Sequence, residues 1–361
     1  MRRRIAPALA LGALVLAGCS TPGIPTPPAV DPTDTANTEP VTLASGLEAP
    51  WSVVRLAGGG ALISQRDGGE VLELTSVGEL REAGVVPGVV SGGESGLHGL
   101  ALLVDGGTRW LYAYHGAADD NRVVRMPLVG DPGSLTLAVD AVEVVVSDIP
   151  RASTHDGGRI AFGPDGMLYI ATGDAGQRDR ARDRDFLGGK ILRVTPEGER
   201  ASGNPFGTAV YSLGHRNVQG LAWTADGRLW ASEFGQDTWD ELNRIEAGGD
   251  YGWPDHEGFA RAGEAIDPVA VWAPDEASPS GITVVDDVVY VAGLRGERLW
   301  LYDTTTPSIE PWPVYTGEFG RLRDVVAGPG DTFWVLTNNS DGRGSPGRDD
   351  DRLLQLTLPE G

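Results

Sequence analysis

A histidine with an aspartate further along the chain is the feature of this sequence best suited to acid–base chemistry. His155 lies in the glycine-rich run 154–159, which reads THDGGR, and Asp174 follows in TGDAG. A carboxylate partner holds an imidazole in one tautomer, which suits the removal of a proton from a hydroxyl group. The pair predicts a general base, although a histidine in such a loop is more often structural, and both interpretations stay open on these residues alone.

Two groups of basic residues could bind an anionic ligand. Arg216 and Asn217 stand in GHRNVQG, a run of hydrogen-bond donors that could clamp an anionic or carbonyl-rich molecule. Arg321 and Arg323 are two residues apart, so their side chains would lie on one face of a strand and could meet carboxylates. The alternative for the first group is an ordinary polar connection between strands.

Closely spaced oxygen ligands occur between residues 232 and 254. Glu233 and Glu241 supply carboxylates, and the stretches SEFGQ and GGDYGWP expose backbone carbonyl groups. Hard oxygen ligands of this kind favour Ca²⁺. The sequence has no EF-hand spacing, so the calcium prediction rests on ligand type alone.

The composition indicates which elements must position these residues. The chain has 361 residues with 52 Gly and 25 Pro, which leaves little room for long helices and favours an all-β fold with many turns. Hydrophobic residues make up 40% and there are ten Trp, enough for a full-sized core. A disordered or low-complexity protein is therefore excluded.

An apolar and aromatic strand recurs six times along the chain, each time after a polar turn. The copies are Ala61-Leu62-Ile63, Trp110-Leu111-Tyr112, Met167-Leu168-Tyr169, Arg228-Leu229-Trp230, Val288-Val289-Tyr290 and Thr332-Phe333-Trp334. Consecutive copies are far enough apart for a four-stranded antiparallel sheet with its loops. The pattern predicts a six-bladed β-propeller, because radial closure removes exposed edges. A pair of β-sandwiches would predict shorter spacing and no such recurrence.

Polar residues follow each copy of the repeat, where equivalent strands would end on one side of the disc. They are Gln65, Arg66, His115, Asp174, Glu233, Arg295, Asn338 and Asn339. We expect them to converge on a site, although strand ends that enter loops are polar in any propeller.

Several collinear motifs resemble the glucose/sorbosone dehydrogenase family, the soluble quinoprotein aldose sugar dehydrogenases. They are Pro50-Trp51, the run GESGLHG at 93–99, His155 with Gly158-Arg159, Gly173-Asp174, Gly214-His215-Arg216-Asn217, Ser232-Glu233, the run DYGWP at 250–254 and Arg321-Leu322-Arg323-Asp324. The resemblance covers roughly residues 41 to 358. It implies a six-bladed propeller that carries pyrroloquinoline quinone (PQQ) over its central face, with Ca²⁺ activating the quinone.

The resemblance also implies roles for individual residues. His155 matches the general base and is also an expected cofactor contact. Asp174 matches its carboxylate partner, and Arg216 the arginine beside the reactive quinone carbonyl, with Asn217 next to it. Arg321 and Arg323 match the pair that contacts PQQ carboxylates. The remaining matches are Gly235 and Gln236, whose carbonyls would hold the PQQ-bound calcium, and Glu241 and Tyr251, which match a further calcium site.

Two positions depart from the family pattern. Glu94 stands where soluble glucose dehydrogenases have a glutamine that contacts cofactor or substrate. Arg295 stands where the family often has a lysine facing the cofactor. Lys190 is the only lysine of this chain, so the second exchange fits a general preference for arginine.

Charge and motif spacing exclude two classes of partner. The formal net charge of −22 repels phosphate backbones, so nucleic acid is not an expected partner. The only Gly-x-Gly-x-x-Gly run, at Gly342, Gly344 and Gly347, lies near the C-terminus with no room for a βαβ unit, which excludes a nicotinamide enzyme.

The first forty residues resemble an export and anchoring segment. Residues 1–18 combine three arginines with a short apolar run and end before Cys19, as in a bacterial lipoprotein signal peptide. Residues 19–40 would form a lipidated, Pro- and Thr-rich tether to the catalytic propeller at 41–358. We expect an extracytoplasmic protein held at the membrane only through its lipid. The alternative is an ordinary signal peptide with an incidental thiol.

Three functions remain open on these grounds. The leading one is oxidation of an aldose sugar at its anomeric carbon to the lactone, dependent on PQQ and Ca²⁺ and passing electrons to an external or respiratory acceptor. The second is a calcium-dependent hydrolase of the lactonase type, whose metal would be held by side-chain carboxylates and Asn. The third is a non-catalytic propeller that displays a binding surface.

Overall fold

The computed structural model describes residues 39–260 and 263–358. The predicted signal peptide, Cys19 and most of the predicted tether lie outside the described residues. Those described form strands in six antiparallel sheets with two short 3₁₀ turns, Val139–Ala141 and Arg178–Arg180. The predictions of an all-β fold and of a six-bladed propeller are confirmed. No helix in this part of the chain is long and apolar enough to cross a membrane.

The chain builds the blades in order, starting from the first strand, β1 (Val41–Ala44). Blade 1 comprises β2 (Pro50–Arg55), β3 (Ala61–Gln65), β4 (Glu70–Leu74) and β5 (Leu80–Val85). Blade 2 comprises β6 (Leu97–Asp105), β7 (Thr108–Gly116), β8 (Asn121–Val129) and β10 (Glu143–Ile149), with the short β9 (Thr136–Leu137) paired to β8. Blade 3 comprises β11 (Ile160–Phe162), β12 (Leu168–Ala171), β13 (Lys190–Val194) and β14 (Val210–Leu213).

The second half of the chain repeats the arrangement and closes the disc. Blade 4 comprises β15 (Val218–Trp223), β16 (Leu229–Glu233), β17 (Asp240–Ile245) and β18 (Ala270–Trp272). Blade 5 comprises β19 (Pro279–Val285), β20 (Val288–Gly293), β21 (Arg298–Asp303) and β22 (Trp312–Val314). Blade 6 comprises β23 (Leu322–Ala327), β24 (Thr332–Thr337) and β25 (Leu353–Thr357), with β1 as its outer strand. The two ends of the propeller thus share one sheet, which ties the ring shut.

Each copy of the sequence repeat falls at the second strand of a blade. This strand is hydrogen-bonded to the first strand on one side and to the third strand on the other. The hairpins follow from turn chemistry. Gly106 and Gly107 join β6 to β7, and Asp286 and Asp287 join β19 to β20, all four with positive φ. Two-residue turns of this hand match the twist of paired strands, and Gly, Asp and Asn tolerate them best.

The hydrophobic core is divided among the interfaces between blades. In the described residues six apolar clusters occur, and each joins two adjacent blades around the ring. Leu62 of blade 1 packs with Leu100 and Leu111 of blade 2, for example, and Trp334 of blade 6 packs with Ile63 of blade 1. Because each blade buries its faces only against its neighbours, the disc is stable only when closed.

A buried ion pair crosses the centre of the ring, where the first strands of successive blades meet. Arg159 donates to Asp324 at 2.9 Å, and both side chains are almost fully buried. Arg159 also donates to the carbonyl of Gln219, and its guanidinium lies 4.4 Å from the centre of the Trp51 ring. These contacts join blades 1, 3, 4 and 6 at the centre of the ring.

Candidate functional site

Topology places the predicted site residues on one face of the disc. In a four-stranded antiparallel blade, the connection from the second to the third strand and the connection to the next blade lie at the same edge. Glu94, His155 and Arg216 lie in connections between blades, whereas Asp174 and Arg295 follow second strands. The predicted polar residues therefore share a face.

His155 and Asp174 meet on this face. His155 lies in the connection from β10 to β11, and Asp174 follows β12. The imidazole Nδ1 of His155 lies 2.8 Å from the Asp174 carboxylate. His155 has φ +60, and a Cβ at Gly173 would collide with the His155 carbonyl, so a glycine is required for this close approach. The Asp174 side chain is buried, whereas that of His155 is 21% exposed. His155 can thus reach a ligand while its partner cannot.

Three donors hold the Asp174 carboxylate in its ionised form. Besides His155, the Gly176 amide and the Trp253 indole each donate to it at 2.8 Å. Burial raises the pKa of Asp174, but the hydrogen bonds and the adjacent imidazole outweigh burial, and the pKa is lowered overall. An ionised carboxylate accepts from Nδ1–H, a tautomer inferred from this network, and leaves Nε2 free to accept a proton.

A second histidine–carboxylate pair, His215 with Glu233 at 2.8 Å, has a different character. The His215 side chain is fully buried, its Nε2 is bonded to Ser212, and its ring stacks on Tyr251. This pair supports the loop beneath the site and cannot reach a ligand. A third pair, His256 with Glu264 at 3.1 Å, has an accessible ring, but its carboxylate is 50% exposed. Only His155 combines an accessible ring with a buried carboxylate among these pairs, which makes it the candidate base.

Arg216 and Asn217 lie beside the His155–Asp174 pair. The Arg216 guanidinium donates to the Phe234 carbonyl at 3.2 Å and lies 5.5 Å from the centre of the Trp253 ring. Burial lowers the pKa of Arg216 although nearby carboxylates oppose the shift. Asn217 accepts from the Gly157 amide at 3.0 Å. The Arg216 Nε and the side-chain Nδ2 of Asn217 are buried and have no partner among the described residues.

A cavity rich in arginine adjoins this group, and we call it the central cavity. Its lining residues are Trp51, Arg66, Glu94, His98, Asp156, Gly157, Gln219, Phe234, Arg323 and Arg343. Its volume is only about 10 Å³, room for about one water-sized group. A larger ligand would therefore meet these residues from the open side.

Arg321 and Arg323 both approach Asp341, at 2.9 and 3.9 Å, as expected for side chains on one face of a strand. Arg323 donates to Gln219 and Asn338, and burial lowers its pKa to about 9. The Arg321 Nε is buried without a partner in the described chain. Arg323 lines the central cavity, whereas Arg321 is not among its lining residues.

The other two predicted cofactor contacts differ in placement. Glu94 lines the central cavity, and one of its carboxylate oxygens accepts from the His155 amide at 2.8 Å. Arg295 is exposed after β20 and lines neither the central cavity nor the acidic cavity described next.

A second small cavity, the acidic cavity, brings together three of the four predicted metal ligands. It is lined by Gly214, Arg216, Glu233, Phe234, Gly235, Glu241, Tyr251, Trp253, His256 and Glu257. Burial and the nearby Glu233 raise the pKa of Glu241 to about 8. The fourth residue, Gln236, is exposed next to Gly235. Within residues 39–260 and 263–358, no cluster of three or more His, Cys, Asp or Glu side chains is arranged as a metal centre.

Glu257 fixes the loop that carries Gly235 and Gln236. Its Oε1 accepts from four consecutive backbone amides, those of residues 236 to 239, at 2.5 to 3.2 Å. Burial raises the pKa of Glu257, but these donors outweigh burial and lower it overall. Neither this role nor that of Trp253 follows from the sequence pattern, because both residues belong to the long connection between β17 and β18.

The geometry defines a class of site. An accessible imidazole, oriented by a buried carboxylate and placed beside an arginine-lined cavity, can take a proton from a hydroxyl group next to an anionic ligand.

Comparisons with known proteins agree with this description. The model of the glucose/sorbosone dehydrogenase family matches residues 47–353, and the chain belongs to this family. It is therefore an oxidoreductase, which favours the dehydrogenase over the hydrolase and the binding module. The aldose sugar dehydrogenase YliI of Escherichia coli is 29% identical over 344 residues, covering 85% of this chain and 91% of that protein.

Solved structures show the same relationship. The PQQ-bound aldose sugar dehydrogenase of Streptomyces coelicolor is 49% identical with a TM-score of 0.84, covering 89% of this chain and 98% of that one. The apo-form of the soluble aldose sugar dehydrogenase of Escherichia coli is 26% identical with a TM-score of 0.75, covering 88% and 99%.

Proposed function

We propose that this protein oxidises aldose sugars at the anomeric carbon to the lactone, with PQQ as cofactor and His155 as general base. The observation that carries the proposal is the accessible imidazole of His155, held by a buried carboxylate beside the arginine-lined central cavity. The PQQ-bound relative from Streptomyces coelicolor supports the choice of cofactor.

The residues present fit a planar polyanion such as PQQ. The Arg216 Nε, the Asn217 side-chain Nδ2 and the Arg321 Nε are buried donors without partners in the described chain, and leaving such donors unpaired costs free energy. Arg323 adds a buried positive charge at the cavity wall. We expect Arg216, Asn217, Arg321 and Arg323 to hold the cofactor, with the two paired arginines facing its carboxylates.

The chain's own residues would then act on the sugar as follows. His155 Nε2 takes the proton of the anomeric hydroxyl, since that hydroxyl is too weak an acid to lose it unaided at neutral pH. Asp174 keeps the ring oriented and stabilises the imidazolium that forms. PQQ, when bound, supplies a quinone carbonyl that accepts the hydride. Arg216 would supply fixed positive charge to stabilise the negative charge that develops on the bound cofactor.

Calcium belongs to the same proposal. The carbonyls of Gly235 and Gln236 accept no hydrogen bond within the described residues, and Glu241 and Tyr251 line the adjoining acidic cavity. Buried carboxylates whose pKa is raised, such as Glu241, gain from a cation. Backbone and carboxylate oxygens together are the ligand set that Ca²⁺ prefers.

Titration of the apo-protein with PQQ, with and without Ca²⁺, tests this proposal. We expect PQQ to bind, Ca²⁺ to tighten binding by at least ~10-fold, and chelation to abolish aldose oxidation. Gln236→Ala should change little because its backbone is the proposed ligand, whereas Glu241→Gln should raise the Ca²⁺ concentration required. Full activity after exhaustive dialysis against a chelator would contradict the calcium proposal.

We also propose that the mature protein begins at Cys19 and is anchored by lipid outside the cytoplasmic membrane, where it passes electrons to an external or respiratory acceptor. The support is the residue pattern before Cys19 and the Pro-rich stretch after it. Cys19→Ala should abolish incorporation of labelled fatty acid, whereas the matched Ser20→Ala should not. Label entering the Cys19→Ala chain would refute the anchor.

A further inference from the structure

One carboxylate in the central cavity joins two distant parts of the propeller. Glu94 Oε1 forms an ion pair with Arg343 at 2.9 Å, and Glu94 Oε2 accepts from the His155 amide at 2.8 Å. Glu94 comes from the connection between blades 1 and 2, and Arg343 from the connection between β24 and β25 in blade 6. Both residues line the central cavity.

Arg343 is held in place by its own loop although its side chain is 53% exposed. Its amide donates to Asp341 at 2.9 Å, and the other oxygen of Asp341 is paired with Arg321. Asn339, at the start of the loop, accepts from the Arg321 amide and donates to Asp350. These contacts hold the backbone of the loop next to Arg321, the residue before β23, and so place Arg343 at the rim of the central cavity.

The charge of Glu94 poses a problem for an anionic ligand. Arg66 and Arg323 give the central cavity the positive character that a carboxylate-bearing cofactor needs. An unpaired Glu94 at the same wall would oppose that ligand, and the opposition would be strong because surrounding protein screens charge less than water does. Arg343 is the one cation within salt-bridge distance of Glu94 in the described chain.

We propose that Arg343 is the counter-ion that lets Glu94 stand in an anion-binding cavity, and that through Glu94 it also positions the backbone of His155. The inference rests on the proposed PQQ cofactor and adds a residue that determines how tightly it binds. With Arg343 in place, Glu94 keeps its hydrogen bond to His155 without adding net negative charge to the cavity. Without Arg343, the same carboxylate repels the cofactor.

Calorimetric titration of the Ca²⁺-loaded apo-protein with PQQ tests this by the sign of coupling between two substitutions. Arg343→Gln should weaken PQQ binding by about 10-fold, and more at low salt than at high salt. Glu94→Gln should bind at least as tightly as wild type. The double variant should regain most of the lost affinity, since it removes the uncompensated charge.

Two further variants separate charge compensation from a general loop effect. Arg343→Lys keeps the charge and should bind PQQ within a few-fold of wild type. Arg348→Gln removes one positive charge from the same loop at an exposed residue away from the cavity and should have no effect. Thermal unfolding of the apo-proteins verifies that each variant folds.

The outcomes are distinct. Wild-type affinity in Arg343→Gln, or a double variant no tighter than Arg343→Gln, would overturn the inference while leaving the proposed function intact. A wild-type protein that binds no PQQ would overturn the proposed function and this inference with it.

Discussion

His155→Ala is expected to lower turnover with an aldose by at least ~10²-fold while leaving the affinity for PQQ almost unchanged. Among the three carboxylate-paired histidines of the described chain, only His155 combines an accessible ring with a buried carboxylate partner. Losing it removes the group that takes the hydroxyl proton but none of the unpartnered buried donors assigned to the cofactor. Steady-state oxidation by reconstituted variants with an artificial acceptor measures the first effect, and calorimetry the second.

Two further variants test whether a loss of turnover in His155→Ala is specific to the catalytic imidazole. His115→Asn removes another buried imidazole, one that lines neither cavity, and should retain wild-type turnover. Asp174→Asn should lie between wild type and His155→Ala, because the base remains but its orientation is lost. Near wild-type turnover in His155→Ala would sink the mechanism even if the protein binds PQQ.

Arg216→Ala is expected to reduce both turnover and PQQ affinity, with turnover falling about 10²- to 10³-fold, the range seen when a preorganised electrostatic group is removed. Arg216 is a cation in a largely buried setting, held by Phe234 and Trp253, so its charge acts with little screening by water. Turnover, measured by steady-state oxidation of an aldose, and PQQ affinity, measured by calorimetry, should both fall.

Arg178 offers a matched control for this substitution. Its guanidinium lies 4.7 Å from the centre of the same Trp253 ring, but the residue is exposed and lines neither cavity. Arg178→Ala should therefore leave turnover within about twofold of wild type. Equal losses in the two variants would mean that support of Trp253, not charge at the cofactor, explains the Arg216 result.

The fold was predictable because its signals are local. Each copy of the repeat is a short apolar strand, and its alternation and Asp-Gly or Gly-Gly turns depend only on neighbouring residues. The six copies occupy equivalent second strands, so counting them yields the number of blades. Antiparallel topology then places the strand ends on one face, which is why residues as distant in sequence as Glu94 and Arg216 could be assigned to one site.

Contacts that form only when the ring closes, or that involve long connections, could not be predicted from the sequence. Arg159 belongs to a motif in blade 3, whereas its partner Asp324 comes from blade 6, on the opposite side of the disc. Trp253 reaches Asp174 only because the connection from β17 to β18 leaves its own blade. Arg343 lies in the glycine-rich run 342–347, and its contact with Glu94 forms only when blades 1 and 6 are brought together.

The measurement that tests the proposed mechanism most directly is an anaerobic single turnover. Protein reconstituted with PQQ and Ca²⁺ is mixed with an aldose in the absence of any external acceptor, and lactone and quinone absorbance are followed together. We expect about one equivalent of lactone per bound PQQ, formed together with the band of the reduced quinone, and a rate at least ~10²-fold slower in His155→Ala. Wild-type protein that binds PQQ but forms no lactone, or a His155→Ala variant that forms lactone at the wild-type rate, would contradict the proposed mechanism.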